Sequence, residues 1–288
     1  MSEQPTRVTA PAIRASKGVR RIAMVTAYDY PSARIVDKAG ADIVLVGDSL
    51  AMVVLGQPDT LSVTVDEMLH HTRAAARGTS RALLVGDMPW MSYLLSLDET
   101  VRNAAAFVRA GAQAVKVEGG RPSRIARVRA ILDAEIPVMG HVGLTPQSVN
   151  VFGGFKVQGK GFDAAKRLVD EAMALEEAGC FSIVLECVPA ELAAWITASV
   201  SIPTIGIGAG PACDGQVLVF HDLLGLYEGH TPKFVRRYAE AGEVMTEAMT
   251  RFVVDIREGR FPAADGESFH VASDEDLKRL YASFGEPA

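Results

Sequence analysis

The chain has 288 residues, a formal net charge of −6 and no basic run, which argues against nucleic acid as the partner. Hydrophobic residues make up 49% of the sequence, so we expect a large core and apolar interfaces between subunits of an oligomer. No leader with the apolar core of a signal peptide and no apolar run of bilayer length is present. The three cysteines, Cys180, Cys187 and Cys213, form no Cys-x-x-Cys pair and are typical of reduced thiols in a cytoplasmic protein.

Strands and helices alternate along the chain after a polar leader over residues 1–20. The predicted strands cover 22–26, 43–46, 83–87, 114–118, 137–142, 182–187, 203–208 and 216–220. The predicted helices cover 31–39, 65–77, 98–110, 123–134, 163–178, 189–199, 233–257 and 274–284. Two long connections, an apolar loop over 50–63 and a glycine-rich loop over 143–162, interrupt this alternation.

Eight strands alternating with helices predict a (β/α)8 TIM barrel with a C-terminal helical extension, forming a single domain over residues 1–288. A doubly wound open sheet is the competing fold. That fold normally carries a glycine-rich phosphate-binding turn after its first strand, whereas this chain has Ala-Tyr-Asp-Tyr-Pro at residues 27–31. The barrel is therefore the preferred prediction.

Several of the predicted strands end in a carboxylate. The acidic residues at these strand ends are Asp48, Asp87, Glu118 and Glu186. Because barrel enzymes work at the C-terminal ends of their strands, we expect these side chains to share one rim of the barrel. A single such residue is more often a helix cap or a solvated strand end, but four at equivalent positions favour a functional site.

Asp48 and Asp87 end neighbouring strands, and two carboxylates that close repel one another unless a cation or a shared proton separates them. Oxygen ligands without a histidine or cysteine cluster suit Mg²⁺ better than Zn²⁺. Salt bridges would also absorb the charge, so the sequence alone leaves both interpretations open.

Lys116 lies two residues before Glu118 on one strand, so both side chains point to the same side and Lys116 lies one layer deeper in the barrel. A buried ammonium group needs an anionic partner. That partner is either Glu118 or a neighbouring aspartate in a structural ion pair, or the carboxylate or developing oxyanion of a substrate.

Glu186 has apolar flanking residues, which predict a partly desolvated carboxylate suited to act as a general base. His141, at the end of the fifth strand, is more often a hydrogen-bonded structural histidine than a catalytic one, and the same holds for His221 and Asp222. The tandem His70-His71 lies on a predicted helix, outside the site.

A metal ion, a deep lysine and a separate carboxylate base suggest proton abstraction next to a carbonyl. The metal would chelate a 2-oxo acid and act as a Lewis acid for its enolate. The residues themselves do not identify the electrophile that the enolate attacks.

Ordered motifs extend over nearly the whole chain. They are Thr26-Ala-Tyr-Asp-Tyr-Pro-Ser-Ala, Val46-Gly-Asp-Ser-Leu, Met52-Val-Val-Leu-Gly, His71-Thr-Arg, Lys116-Val-Glu-Gly-Gly, Gly140-His-Val-Gly-Leu-Thr-Pro-Gln, Ile205-Gly-Ile-Gly-Ala-Gly and Cys213-Asp-Gly-Gln-Val-Leu-Val. Together these motifs resemble the 3-methyl-2-oxobutanoate hydroxymethyltransferase family, which forms ketopantoate in pantothenate synthesis.

The resemblance implies a barrel of the phosphoenolpyruvate/pyruvate superfamily, a bound Mg²⁺ and 5,10-methylenetetrahydrofolate as the one-carbon donor. By motif position, the implied roles are metal binding for Asp48, Asp87 and Glu118 (the last directly or through water), 2-oxo acid binding for Asp48, Ser49, Asp87 and Lys116, and general-base catalysis for Glu186. The family is commonly decameric, so a homo-oligomer, expected to be a decamer, is also implied.

Two departures from the family pattern are visible. Ala51 stands where a glycine is usual, and Gly86-Asp-Met-Pro-Trp, which ends at Trp90, stands where Ala-Asp-x-Pro-Phe is more usual. The competing function is that of a Mg²⁺-dependent lyase or mutase of the same superfamily, which acts on a small 2-oxo acid and needs no folate. A catalytically inactive barrel serving in assembly or binding is the alternative outside enzymes, and the intact acidic residues argue against it.

Overall fold

The computed structural model describes residues 6–227, 229, 231–263 and 266–286. The chain divides into two compact units, Met1–Ala239 and Glu240–Ala288. The first unit contains all the strands named below, and the second contains two helices. The single-domain organisation expected for residues 1–288 stays a prediction.

Eight parallel strands form a closed barrel in sequence order. They are β1 (Ile22–Thr26), β2 (Ile43–Val46), β3 (Leu83–Asp87), β4 (Ala114–Glu118), β5 (Val138–Gly143), β6 (Ser182–Glu186), β7 (Thr204–Ile207) and β8 (Gly215–Leu218). The first strand pairs with both β2 and β8, which closes the sheet. This closure confirms the predicted (β/α)8 barrel and excludes the open doubly wound sheet.

The helices lie mainly between the strands. They are α1 (Ala10–Arg14), α2 (Tyr30–Lys38), α3 (Leu50–Val53), α4 (Val65–Gly78), α5 (Leu97–Arg109), α6 (Pro122–Asp133), α7 (Val149–Phe152), α8 (Phe162–Ala178), α9 (Ala190–Ser199), α10 (Phe220–Leu223), α11 (Ala241–Arg257) and α12 (Asp274–Phe284). The two long connections are thus only partly irregular, since α3 lies in the first and α7, after a short 3₁₀ turn at Pro146–Ser148, lies in the second.

Two predicted boundaries are wrong. The helix expected over 233–257 begins only at Ala241, because the backbone N–H of Tyr238 donates to Leu223 O (2.8 Å) and is withdrawn from a helix. The strand expected over 216–220 ends at Leu218, where the chain turns into α10. His221 and Asp222 therefore lie in a short helix beyond the eighth strand.

The barrel interior is filled with apolar side chains, which alternate along each strand with residues that face the helices. Interior residues such as Met24, Leu83 and Met139 are at most 2% exposed. The leader helix α1 closes the N-terminal end, because Ala10 and Ile13 belong to the same apolar cluster as the barrel interior. The N-terminal end is therefore closed, and the open end of the barrel is the C-terminal rim, where the strand-end carboxylates lie.

The cysteines are unpaired in the structure. Burial raises the pKa of the Cys180 thiol to about 12 and, with the charge of Glu186 nearby, raises the pKa of Cys187 to about 12 as well. Both thiols are therefore protonated at neutral pH and do not act as nucleophiles. In the part of the chain that the structure describes, no helix is both long and apolar enough to cross a membrane.

Candidate active site

The predicted strand-end carboxylates meet at the C-terminal rim of the barrel. Asp87, Glu118 and Glu186 are the last residues of β3, β4 and β6, and Asp48 follows β2 after Gly47. The backbone N–H of Asp48 donates to Asp87 Oδ2 (3.3 Å), which joins the first two directly. The structure thus brings together the acidic residues that the sequence placed on one rim, while their roles stay predictions.

Lys116 lies one layer below this rim and is paired. Its Nζ lies 2.8 Å from Asp87 Oδ2 and 3.8 Å from Glu118 Oε1, and its side chain is 5% exposed. Burial alone would lower the pKa of the ammonium group, but the charges of Asp87, Glu118 and Asp48 hold that pKa above its ordinary value. Of the partners considered for Lys116, the structure shows the ion pair with protein carboxylates, and Asp87 is the nearer of the two.

His141 bridges two of the carboxylates. Its Nδ1 lies 3.4 Å from Glu118 Oε1 and its Nε2 lies 3.3 Å from Glu186 Oε2, although neither contact has the alignment of a hydrogen bond. Burial and the charge of Lys116 lower the imidazole pKa, but Glu118 and Glu186 outweigh them and raise it to about 9. His141 Nδ1 also lies 3.3 Å from Lys116 Nζ, so His141 and Lys116 are neighbours that share Glu118.

Asp48 and Asp87 carry more negative charge than their surroundings offset. Burial raises the pKa of Asp48 well above its ordinary value, and repulsion from Asp87 and Glu118 raises it further. Burial also raises the pKa of Asp87, and the charge of Lys116 offsets this only in part. Asp87 Oδ1 and Glu118 Oε1 are buried and accept no hydrogen bond from the described residues. A divalent cation would relieve both the repulsion and the missing partners.

The donor chemistry of this rim fits Mg²⁺. Within the described ranges, no group of three or more histidine, cysteine, aspartate or glutamate side chains is placed to hold a metal ion. Mg²⁺ is usually held by one or two carboxylates, with water and substrate oxygens completing its octahedron. Asp48 and Asp87 supply such a pair, whereas Glu118 Oε2 already accepts the backbone N–H of Gln147 (3.1 Å).

Gln147, to which the sequence assigned no role, connects the acidic residues. Its side-chain amide donates to Asp48 Oδ2 (2.9 Å) and to Met88 O (3.0 Å), and its Oε1 accepts from the Tyr93 hydroxyl (2.6 Å). Its backbone N–H donates to Glu118, so one residue holds carboxylates from two strands. The only signal in the sequence was its place at the end of the motif that follows β5.

Glu186 lies on a constrained backbone. Its side chain is 18% exposed, so the desolvation expected from its apolar neighbours is only partial. Cys187, the next residue, has φ +47°, which is uncommon for a residue other than glycine. On the neighbouring strand, a Cβ at Gly143 would clash with the Glu186 carbonyl oxygen. Such backbone conformations are concentrated at functional sites, and this one fixes Glu186 at the rim.

Ser49 lies on the β1 side of the rim, where its Oγ is 2.9 Å from the Tyr28 hydroxyl. No hydrogen bond joins its side chain to the rim carboxylates among the described residues. His221 stacks near Tyr28, with ring centroids 5.5 Å apart, and His71 Nδ1 lies 2.6 Å from Tyr28 O. These histidines support Tyr28 rather than the acidic cluster.

Both departures from the family pattern leave the polar groups in place. Ala51 is fully buried in α3 and adopts a helical conformation that does not require glycine. An alanine at position 86 would clash with the ring of Phe107, so Gly86 and Phe107 are mutually adapted. Trp90 is 42% exposed in the loop after β3, and nothing in the structure explains its presence in place of phenylalanine.

Residues 7–264 match the model of a family described as ketopantoate hydroxymethyltransferase. A 3-methyl-2-oxobutanoate hydroxymethyltransferase of Syntrophobacter fumaroxidans is 58% identical over 263 residues, covering 91% of this chain and 93% of that protein. One of Syntrophomonas wolfei is 53% identical over 277 residues, covering 96% and 99%. The crystal structure of 2,3-dimethylmalate lyase, a PEP mutase/isocitrate lyase superfamily member, has a TM-score of 0.58 at 17% identity, covering 95% of this chain and 98% of that one. This last likeness concerns the fold alone.

Proposed function

The chain belongs to the ketopantoate hydroxymethyltransferase family, and we propose that it transfers a hydroxymethyl group from 5,10-methylenetetrahydrofolate to 3-methyl-2-oxobutanoate, giving ketopantoate for pantothenate synthesis. The observation that carries this proposal is the convergence of two aspartates, a deep lysine and a separate carboxylate on one rim. Enolate chemistry needs a Lewis acid for the oxo acid, a cation for its developing charge and a base. The two aspartates would hold the Lewis acid, Lys116 is the cation and Glu186 is the base.

Asp48 and Asp87 would hold Mg²⁺, with Glu118 joining directly or through water. When bound there, Mg²⁺ would supply Lewis-acid activation of the 2-oxo acid. Lys116 offsets the substrate carboxylate or the enolate oxygen, because it is the deepest cation at the rim and keeps its charge. Ser49 contacts the oxo acid from the β1 side, and the Tyr28 hydroxyl orients it.

Glu186 would remove the proton from C3 of 3-methyl-2-oxobutanoate. The electron pair of the broken C–H bond moves toward the C2 oxygen, next to Lys116. Water breaks the two C–N bonds that hold the methylene carbon of the folate, its two protons go to N5 and N10, and tetrahydrofolate leaves. C3 then bonds to the released formaldehyde carbon, and the proton held by Glu186 goes to the formaldehyde oxygen, which becomes the hydroxyl group. His141 positions Glu186, since its Nε2 lies 3.3 Å from the carboxylate.

The test is incubation with 3-methyl-2-oxobutanoate, methylenetetrahydrofolate and Mg²⁺, with the product identified by mass. We expect ketopantoate, and in D₂O without folate we expect Mg²⁺-dependent exchange of the C3 proton. Turnover of a 2-oxo acid without folate would instead assign a lyase or mutase activity. An inactive chain that binds no Mg²⁺ in a titration would support the non-enzymatic alternative.

We also propose that the protein is a cytoplasmic homo-oligomer, with a decamer as the expected size. The barrel unit exposes large apolar side chains that are normally covered at an interface. They include Ile35 (56% exposed), Leu95 (62%), Val151 (78%), Phe162 (82%) and Trp195 (55%). Unpaired cysteines are consistent with a reducing compartment. Sedimentation should reveal a large closed assembly, and a monomer at micromolar concentration would contradict this.

A further inference from the structure

A cavity of about 190 Å³ lies beside the acidic rim between α6 and α8. Glu118 borders it, and so do Gly143 and Thr145, which lie at and just after the end of β5. The remaining wall carries three arginines, namely Arg121, Arg124 and Arg167. We refer to this space, defined by the three arginines, as the arginine cavity.

Two of these arginines are not neutralised by the protein. Arg121 Nε lies 3.8 Å from Glu171 Oε1. The Arg124 guanidinium lies over the Tyr93 ring, 5.8 Å from its centroid, and its side chain forms no ion pair with a described residue. The Arg167 side chain likewise has no hydrogen bond or ion pair within 4 Å in the described ranges. The cavity therefore presents positive charge to an incoming ligand.

The two carboxylates that border the cavity, Glu118 and Glu171, offset the charge of the three arginines only in part. Glu118 is directed to Lys116, His141 and the Gln147 backbone at the rim. Glu171 is directed to Arg121, whose Nε lies 3.8 Å from its Oε1, so it leaves Arg124 and Arg167 without an ion pair among the described residues. The cavity thus selects for an anion, and carboxylates are matched by arginine in geometry as well as charge.

The size and position of the cavity indicate which part of a ligand it takes. Ligand sites that enclose a whole drug-sized molecule are usually about 300–1,000 Å³, so this space suits one end of a longer ligand. Arg121 lies three residues beyond Glu118, and so within about 11 Å of it along the chain. Glu118 belongs to both the cavity wall and the rim, so a ligand anchored here has the acidic rim within reach.

We propose that the arginine cavity binds the glutamate carboxylates of the folate co-substrate, while its pterin end reaches the rim. This inference rests on the proposed function, because it takes methylenetetrahydrofolate as the one-carbon donor. In that ligand the reactive methylene is attached to the pterin end and the carboxylates lie at the opposite end. Anchoring the charged end by arginine leaves the uncharged, reactive end free to meet the enolate.

The test compares two one-carbon donors, methylenetetrahydrofolate and methylenetetrahydropteroate, which lacks the glutamate. The wild-type enzyme should prefer the folate, and Arg124→Gln and Arg167→Gln should each reduce that preference in kcat/KM by about ten- to hundredfold. The ratio between donors is the readout because an indirect effect on the acidic rim changes both donors alike. Arg121 is a poorer choice, since its loss also removes the partner of Glu171.

Arg129→Gln is the matched control. It is an exposed arginine on α6, but it pairs with Glu177 at 3.8 Å and does not border the cavity. A second readout is equilibrium dialysis of tetrahydrofolate and tetrahydropteroate, which involves no turnover. Arg124→Gln and Arg167→Gln should weaken binding of tetrahydrofolate only.

An unchanged donor preference in both arginine variants would overturn this inference alone. So would an equal loss with both donors, which would assign the arginines to another role. Failure of the wild-type enzyme to use either donor would overturn the proposed function, and the inference with it.

Discussion

A buried aspartate at the N-terminal end of the barrel, Asp37, has a lowered pKa, whereas Asp48 and Asp87 at the C-terminal rim have raised pKa values. At the N-terminal end, Asp37 accepts hydrogen bonds from the backbone N–H groups of Ser80 (3.1 Å), Arg81 (3.0 Å) and Ala82 (2.7 Å). Burial would raise the pKa of Asp37, but these bonds outweigh it and lower that pKa. At the C-terminal rim, burial and repulsion raise the pKa of both Asp48 and Asp87.

Two other aspartates at the N-terminal end repeat the satisfied pattern. Asp42 accepts from the backbone N–H of Ala23 (2.9 Å) and from Arg20 (2.8 Å). Asp214 accepts from Lys17 (2.9 Å) and from the backbone N–H of Thr204 (2.9 Å). These residues tie strand starts together and stabilise the fold, whereas the rim carboxylates retain unpaired oxygens that a ligand can use. In a barrel, polar residues at the two ends serve stability and catalysis respectively.

The largest test of this contrast is to remove a rim carboxylate. Asp48→Asn and Asp87→Asn should each lower kcat/KM at least about a thousandfold and weaken Mg²⁺ binding, because each removes a proposed metal ligand. Asp48→Asn should not lower the melting temperature, since it relieves repulsion. Steady-state kinetics, a Mg²⁺ titration and thermal unfolding check these outcomes. Unchanged metal dependence in both variants would remove these residues from the coordination sphere.

Glu186→Gln tests the base separately from the binding groups. General-base catalysis contributes about 10²–10⁴-fold, so kcat should fall by that factor while substrate and metal affinities stay near wild-type, because the shape is preserved. The readout is exchange of the C3 proton in D₂O without folate. Exchange at the wild-type rate in the variant would place the base elsewhere, and His141, 3.3 Å away, would be tested next.

Lys116→Met removes the deep cation. Loss of one partner of a buried charge pair should cost about a hundredfold in kcat/KM. Unlike Glu186→Gln, this change should raise KM as well as lower kcat, since Lys116 contributes to ground-state binding of the substrate anion. Separate determination of kcat and KM distinguishes the two variants, and a pure kcat effect would argue against contact with the substrate carboxylate.

Asp37→Asn probes the other end of the barrel and should have the smallest effect on activity. Loss of well-made hydrogen bonds to buried N–H groups should lower the free energy of unfolding by about 1–3 kcal/mol, with kcat unchanged. Because the folded pKa of Asp37 is lowered, its stabilisation is present above the ordinary aspartate value of 3.8 and is lost as the pH falls through the folded value. Denaturant unfolding at pH 7 and pH 3 should therefore separate the variant from wild type more at pH 7. An equal difference at both values would contradict this role.

The barrel and its acidic rim could be predicted because they depend on local pattern. Each of Asp87, Glu118 and Glu186 follows a short apolar run, which predicts a strand that ends at the carboxylate. Once the parallel strands form a barrel, these strand ends necessarily lie on one rim. The partner of Lys116 was left open between Glu118, a neighbouring aspartate and a substrate anion. The choice between the two protein carboxylates depends on the register of β3 against β4, which pairs Asp87 with Lys116.

Longer-range contacts could not be predicted. Gln147 bonds to Asp48, 99 residues away, through a loop whose path no periodic pattern specifies. The late start of α11 depends on one backbone bond between Tyr238 and Leu223. The arginine cavity requires α6 and α8 to lie side by side, so Arg124 and Arg167 gave no joint signal in the sequence.

The helix α1 that closes the N-terminal end has a kinetic consequence. With Ala10 and Ile13 packed into the barrel interior, the described residues leave the rim as the open end of the barrel for ligands. In the proposed reaction, a 2-oxo acid held at the depth of Lys116 would lie beneath a folate that spans the rim. The proposed reaction should therefore follow a compulsory order, in which the oxo acid binds first and ketopantoate dissociates last. Product-inhibition patterns would reveal that order directly.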